Sequence, residues 1–237
     1  MIRDSNHPIP YLPMPEPNDF DALLKNAESQ LPLVRDSIQF GSHRVDYYRP
    51  SDPESILDEE TLLSDHGELE WQPYWAQAWD ASVGMAEYLV NQDLKNQCVL
   101  DLGCGIGMTS ALLLAIGAEV VCGDNAPPSL LFAELNTWPW RQRAQVQFID
   151  WHKTLLEQHF DTIVGSDIVY ERQEVGPLDR FFRNHLKPDG KVILSDPSRP
   201  MTREFLTMFS QLGWSLEETT IGIEQIKQPI RIVTLTL

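Results

Sequence analysis

Hydrophobic and polar positions change rhythm along this chain, and the clearest rhythm begins at Gln97. From there, short apolar runs alternate with stretches of helical spacing. The runs are Cys98–Leu102, Glu119–Cys122, Val146–Ile149, Thr162–Gly165 and Lys191–Ser195, most of them followed by polar or glycine residues. Such alternation predicts βαβ units and a parallel sheet. The rhythm then changes: Trp214–Ile223 and Ile230–Leu237 are strand-like and are joined by the polar link Glu224–Pro229, which predicts a closing antiparallel hairpin. Together the runs predict an α/β fold with a doubly wound, seven-stranded sheet, mainly parallel, carrying an N-terminal extension.

That extension is read separately. Pro8, Pro10, Pro13, Pro15 and Pro17 remove backbone donors that a helix or central strand needs, so the opening segment is expected to be an extended arm. A helical patch covers Phe20–Ser29, and the runs Ser37–Phe40 and Arg44–Tyr47 flank Gly41-Ser42 as a hairpin would. Asp58–Glu70 is acidic and polar, and Pro73 resets the chain before a helix expected over Trp75–Val90. The expected organisation is an arm and small hairpin over 1–70, a lid or brace, followed by one core over 71–237. No repeat of fixed period occurs.

Composition narrows the partners. With 237 residues, 42% hydrophobic and 22% charged, the chain can bury one α/β core. Its 35 acidic against 18 basic residues give a formal charge of −17, which would repel a phosphate backbone and argues against a nucleic-acid substrate. An acidic surface suits a basic protein patch or simple solubility. Cys98, Cys104 and Cys122 lack metal-ligand spacing, and the N-terminus lacks a signal peptide's basic start and apolar run, so a reducing cytoplasm is expected. No apolar stretch reaches the roughly 18 residues of a membrane span. The six histidines show no paired spacing, so no metal is expected.

The candidate chemistry lies in Val99-Leu100-Asp101-Leu102-Gly103-Cys104-Gly105-Ile106-Gly107, an apolar strand, a glycine-rich turn and the start of a helix. Such a turn lets a ligand approach backbone N–H groups and a helix N-terminus. The spacing departs from the dinucleotide fingerprint, since the sixth position is Met108 and the third glycine comes at the fifth. No Lys or Arg occurs from Asn96 to Trp140, and no Gly-Lys-Ser/Thr follows the turn, so a pyrophosphate would find no cation. A ligand carrying positive charge suits the acidic loop better. Asp124, twenty-one positions after Gly103, follows the second run where a carboxylate can accept both ribose hydroxyls, with Asn125 beside it. Asp150 and Trp151 follow the third run, where an adenine amino group and ring would find an acceptor and a stacking face. No Ser/His/Asp triad or Gly-x-Ser-x-Gly elbow is present.

In combination these residues resemble the seven-strand, Rossmann-like methyltransferases that use S-adenosylmethionine. Their glycine motif, strand-two acid and strand-three acid are similar to Gly103–Gly107, Asp124 and Asp150. Within that group, Ala78-Trp79-Asp80-Ala81, Ile149-Asp150-Trp151 and Asp167-Ile168-Val169-Tyr170 resemble a family of protein lysine methyltransferases that includes the one acting on the electron-transfer flavoprotein beta subunit. Asp196-Pro197-Ser198-Arg199-Pro200 is similar to a segment of that branch. The resemblance implies S-adenosylmethionine as cofactor, with Trp79, Asp101, Gly103, Gly105, Gly107, Asp124, Asn125, Asp150, Trp151 and Ser166 around it. It implies Asp167 and Tyr170 as the residues beside the methyl donor and the substrate. The implied acceptor is a lysine of a protein; a small, nicotinamide-like amine and a cofactor-binding assembly factor without turnover remain as alternatives.

Overall fold

The computed structural model describes residues 19–56 and 73–237. The expected proline-rich arm and the acidic stretch 58–70 lie outside the described residues.

The N-terminal part is a helix α1 (Phe20–Gln30) followed by strands β1 (Leu33–Phe40) and β2 (His43–Pro50). Asp19 caps α1 by accepting from the N–H groups of Asp21 and Ala22. The hairpin is longer than its apolar alternation suggests. Its register runs from Phe40↔His43 back to Leu33↔Pro50, and Arg35–Asp46 and Arg49–Asp36 ion pairs tie the two strands together. Phe40 and Val45 are buried near the turn and Pro50 at the open end, with partly exposed positions between them, so the alternation does not run the length of the hairpin.

After helix α2 (Asp80–Leu89), the core alternates as expected: β3 (Cys98–Leu102), α3 (Met108–Ala115), β4 (Glu119–Asp124), α4 (Pro127–Thr137), β5 (Ala144–Phe148), β6 (Phe160–Ser166), α5 (Val175–His185), β7 (Leu186–Asp196), α6 (Thr202–Gln211), β8 (Ser215–Ile221) and β9 (Ile230–Thr236). The last seven strands form one sheet in the order β5-β4-β3-β6-β7-β9-β8. The first five are parallel neighbours, while β9 runs antiparallel to both β7 and β8. The chain therefore winds outward from β3 in both directions, and the crevice where an open α/β sheet takes its ligand falls at the carboxyl ends of β3, β4 and β6.

Alternating strand positions feed two cores. Leu100 and Leu102 of β3 pack with Phe181 and Phe182 of α5 and Phe209 of α6, whereas Val99 packs with Met85 and Leu89 of α2 and Leu113 of α3. Helix α2 lies very close to the sheet, because a Cβ at Gly84 would stand 2.5 Å from Ile230 Cβ.

One expected helix is broken. Trp75–Val90 forms a 3₁₀ turn over Pro73–Ala76, an extended link through Trp79, and only then α2. Trp79 has φ −72° and ψ 153°, and its indole N–H donates to the Tyr74 carbonyl at 2.7 Å. The link places Trp75 in the core, 3% exposed, and Tyr74 at the surface, 48% exposed, so tertiary packing overrides the local helical pattern.

Candidate active site

A cavity of about 510 Å³ opens at the crevice, within the size range of pockets for small ligands and cofactors. Its lining includes Trp79, Asp101, Gly103, Gly105, Asp124, Asn125, Trp151, Ser166, Asp167 and Tyr170, so ten of the twelve residues expected from the sequence meet in one space. Gly107 and Asp150 do not line it.

Gly107 has a packing role. At φ +78° it precedes α3, and a Cβ there would stand 2.8 Å from Ala133 Cα, so it lets α4 approach the loop. Asp150 shapes the turn that carries Trp151: its Oδ1 accepts from the His152 N–H at 2.9 Å and its Oδ2 pairs with Lys153 at 3.1 Å. Against the upward push of partial burial, these partners hold its carboxyl below the ordinary value.

The loop amides are engaged differently from the expectation. Gly103 and Cys104 both donate to the Gly123 carbonyl, Gly107 donates to the Cys104 carbonyl, and Gly105 donates to Asp124 Oδ2 at 2.9 Å. The glycines therefore supply shape rather than free donors. At Gly105, with φ +53°, a Cβ would come within 3.2 Å of the Trp75 carbonyl oxygen. Ser129 Oγ donates to the Gly105 carbonyl at 2.7 Å and completes the clasp.

Two carboxylates form the deep wall. Asp124, 7% exposed, also accepts from the Ala126 N–H; burial pushes its carboxyl upward against the pull of the Ala126 and Gly105 amides. Asp101, 2% exposed, accepts from Ser110 Oγ at 2.6 Å, and burial, reinforced by the Asp124 charge, pushes it up to about 7 despite that bond. Ser166 Oγ is buried without a hydrogen-bond partner among the described residues. A carboxylate has about four lone-pair sites, so Asp124 keeps acceptor capacity after its two amide bonds.

The mouth is aromatic. The Tyr74 ring meets Trp79 edge-on at 6.2 Å and Tyr170 edge-on at 6.0 Å, and Met201 is 53% exposed beside them. Burial, with the Glu174 and Glu171 charges, pushes the Tyr170 phenol up to about 12, so it stays protonated at neutral pH. Trp151 is anchored from behind by its indole N–H on Glu174 Oε2 at 2.7 Å, an oxygen shared with His152 Nε2 at 2.9 Å. Asp167 holds a bidentate pair with Arg199, at 2.5 and 2.7 Å. Tyr74, Glu174 and Ser129 join the site with no signal in the sequence, and Arg199 joins it from a segment with a recognisable pattern.

The strand order, the antiparallel β9 and a glycine turn clasped by the acid ending β4 define a Rossmann-like methyltransferase fold. Solved structures agree on the fold: the glycopeptide N-methyltransferase MtfA in complex with S-adenosylmethionine superposes with a TM-score of 0.56 at 16% identity, over 67% of this chain and 94% of that one. A TehB-like enzyme of Corynebacterium glutamicum gives 0.53 at 17% identity, over 79% of this chain and 99% of that one. A profile of the lysine methyltransferase family matches residues 69–212, and the chain belongs to that family. Among curated relatives, the protein N-lysine methyltransferase METTL21A of Xenopus tropicalis is 30% identical over 50% of this chain and 58% of its own. The electron transfer flavoprotein beta subunit lysine methyltransferase of Mus musculus is 28% identical over 54% of this chain and 52% of its own. Phosphoethanolamine N-methyltransferase 1 of Zea mays is 32% identical over 60% of this chain and 29% of its own. The chain thus spans little more than half the length of the first two and less than a third of the last.

S-adenosylmethionine is the methyl donor of this family, and the cavity fits it: the deep wall carries carboxylates rather than cations, and the orphaned Ser166 hydroxyl sits on its lining. No helix among the described residues is long and apolar enough to cross a membrane, and none of their His, Cys, Asp and Glu side chains form a group of three or more placed to hold a metal.

Proposed function

We propose that this protein transfers a methyl group from S-adenosylmethionine to the side-chain nitrogen of a lysine in another protein, by a single in-line displacement. The observation that carries the reading is the meeting of Asp167 and Tyr170 with Asp101 and Asp124 around one cavity. In this reading Asp124 accepts the ribose hydroxyls, Asn125 and Trp151 flank the base, Trp79 and Ser166 border the donor, and Gly103 and Gly105 let it approach the backbone. Asp150 acts through the turn that positions Trp151.

The cofactor, when bound, supplies an electrophilic methyl on a positively charged sulfur. The chain's residues align the acceptor with it and exclude water, which is where most of the acceleration of such a displacement arises. A lysine titrates near about 10.4, so freeing its lone pair at pH 7 costs about 4.6 kcal/mol. Asp167 favours the charged form and is therefore a positioning group before it is a base. Tyr170, protonated at neutral pH, shapes the acceptor channel and is no base either.

None of residues 19–56 lines the cavity, which supports a brace rather than a lid for that part of the extension and favours an acceptor that reaches in from outside. Three unpaired cysteines support a reducing compartment such as the cytoplasm. The test is incubation of the full chain with methyl-labelled S-adenosylmethionine and a proteome from a strain lacking the protein. We expect label on a lysine of a discrete protein. Label confined to small molecules would favour the small-amine reading, and cofactor binding without any transfer would favour an assembly factor.

A further inference from the structure

Arg199 is the one cation among the described residues that line the cavity. Its guanidinium holds both oxygens of Asp167, yet the two partners sit at different depths: the Asp167 side chain is 13% exposed and that of Arg199 is 38% exposed. The carboxylate therefore belongs to the pocket and the cation comes to it from the solvent side. Asp167 is also held in the left-handed region, φ +57°, with its N–H donating to the Ser195 carbonyl at 2.8 Å. Such backbone strain in a non-glycine residue persists where the surroundings impose it, and clusters at functional sites. Ser198, next to Arg199, has φ +58° and is tied by its hydroxyl to the Pro229 carbonyl. The Arg199 N–H is tied to Asp196 Oδ1 at 3.0 Å, so the backbone is anchored and only the side chain is free to leave.

Tyr74, Trp79 and Tyr170 line the same cavity as the pair, with Tyr74 edge-on to both other rings. Aromatic faces attract cations, most strongly where water is excluded. The cation–ring contacts among the described residues involve Arg35, Arg141 and Arg183 on other rings, so Arg199 leaves this aromatic wall unused. The site combines a shielded carboxylate on a left-handed backbone with an aromatic wall in the same cavity, and a tethered arginine meets only the carboxylate.

We propose that the Asp167 carboxylate is the seat of the acceptor's ammonium and that Arg199 is a resident occupant, which the incoming lysine displaces toward solvent. This rests on the methyl-transfer reading above and adds how the site is kept filled between turnovers. Arg199 then acts on specificity: only a cation on a long, flexible stem that also uses the aromatic wall competes with a tethered arginine. An exchange of one cation for another on a partly exposed pair is balanced in charge, so the displacement does not strand Asp167 unpaired.

The test needs no natural substrate. In Arg199→Lys the introduced amine replaces the guanidinium at the seat. With S-adenosylmethionine, its ammonium loses a proton to solvent and its nitrogen bonds to the methyl carbon as the carbon–sulfur bond breaks, leaving S-adenosylhomocysteine. Peptide mass spectrometry is expected to find one or more added methyl groups at position 199, with none in the wild type and none in the Arg199→Lys, Asp167→Asn double variant. A second measurement titrates n-butylammonium, a lysine side-chain mimic, into the S-adenosylhomocysteine complex. Binding to Arg199→Ala is expected to be about tenfold tighter than to the wild type, and to be lost when Asp167→Asn is added. An unmodified position 199 together with equal n-butylammonium affinities, in variants that still bind S-adenosylhomocysteine, would overturn the proposal alone. Failure of the wild type to bind S-adenosylhomocysteine would overturn the reading beneath it.

Discussion

Asp124 accepts the amide hydrogen of Gly105 at 2.9 Å, across nineteen residues of sequence, so the acid that ends β4 also fixes the turn that follows β3. In the proposed reading the same side chain has two jobs, holding the loop and meeting the ligand. Asp124→Ala is therefore expected to weaken S-adenosylhomocysteine binding by about a hundredfold and to cost about 1–3 kcal/mol of stability, because the Gly105 and Ala126 amides lose their acceptor. Calorimetry and denaturant unfolding read the two effects separately, and unchanged affinity would remove Asp124 from the ligand's surroundings.

Asp101 is expected to make ligand binding sensitive to pH. Burial raises its carboxyl to about 7, so below that pH the free protein holds a proton there. A ligand bearing positive charge nearby favours the ionised form, so binding releases the proton and affinity falls as pH drops from about 7 toward 5. Calorimetry in buffers of different ionisation heat should show proton release at pH 6, absent in Asp101→Asn.

The same group acts on stability with the opposite sense from a salt-bridged acid. The unfolded chain titrates it near 3.8, so between about pH 4 and pH 7 the folded chain binds a proton the unfolded chain has lost. Its contribution to stability therefore declines as pH rises through that window and is constant above it. Unfolding midpoints of the wild type and Asp101→Asn should diverge in slope across the window and run parallel above it.

Asn136, 3% exposed, joins the N-terminal hairpin to the glycine loop. Its carbonyl accepts from the Tyr48 N–H at 2.6 Å, while its amide donates to the Tyr48 carbonyl at 2.8 Å and the Ile106 carbonyl at 2.7 Å. Asn136→Ala leaves three backbone groups without this partner and is expected to cost about 2–4 kcal/mol. Amide exchange should show the hairpin and residues 104–107 losing protection together; loss confined to the hairpin would deny the coupling.

Glu174, 8% exposed, serves the site by holding the Trp151 indole. Glu174→Gln keeps an acceptor for the indole N–H, so its affinity for S-adenosylhomocysteine should stay within about threefold of wild type. Glu174→Ala should lose about tenfold, with a shift in Trp151 emission. Equal losses in both variants would show that charge, rather than anchorage, matters there.

The interior strands were legible because burial on both faces writes a nearly unbroken apolar run: β3 occupies Cys98–Leu102, as expected, with the buried Asp101 as its one polar position. Helix α5 was not singled out, since Gly176 and Pro177 interrupt its first turn, although Val175, Leu178, Phe181, Phe182 and His185 are buried along one face. The break before α2 depends on Trp75, whose ring packs against Phe132 far away in sequence, a contact no local pattern encodes. The glycine turn and the acids at strand ends were legible one by one, whereas Trp79, Ser166 and Tyr170 came only with the family resemblance and Tyr74 and Glu174 not at all. The pairing of Arg199 with Asp167 was not legible either: they stand thirty-two residues apart, and nothing in either segment announces the other.

The amides of Gly103, Cys104, Gly105 and Gly107 all have acceptors within the chain. A guest therefore meets a hollow already cast, and these four amides need not be recruited to hold it. Selectivity then leans on the side chains of the wall, so variants there should retune which sulfur nucleoside is preferred without first having to rebuild the turn beneath it.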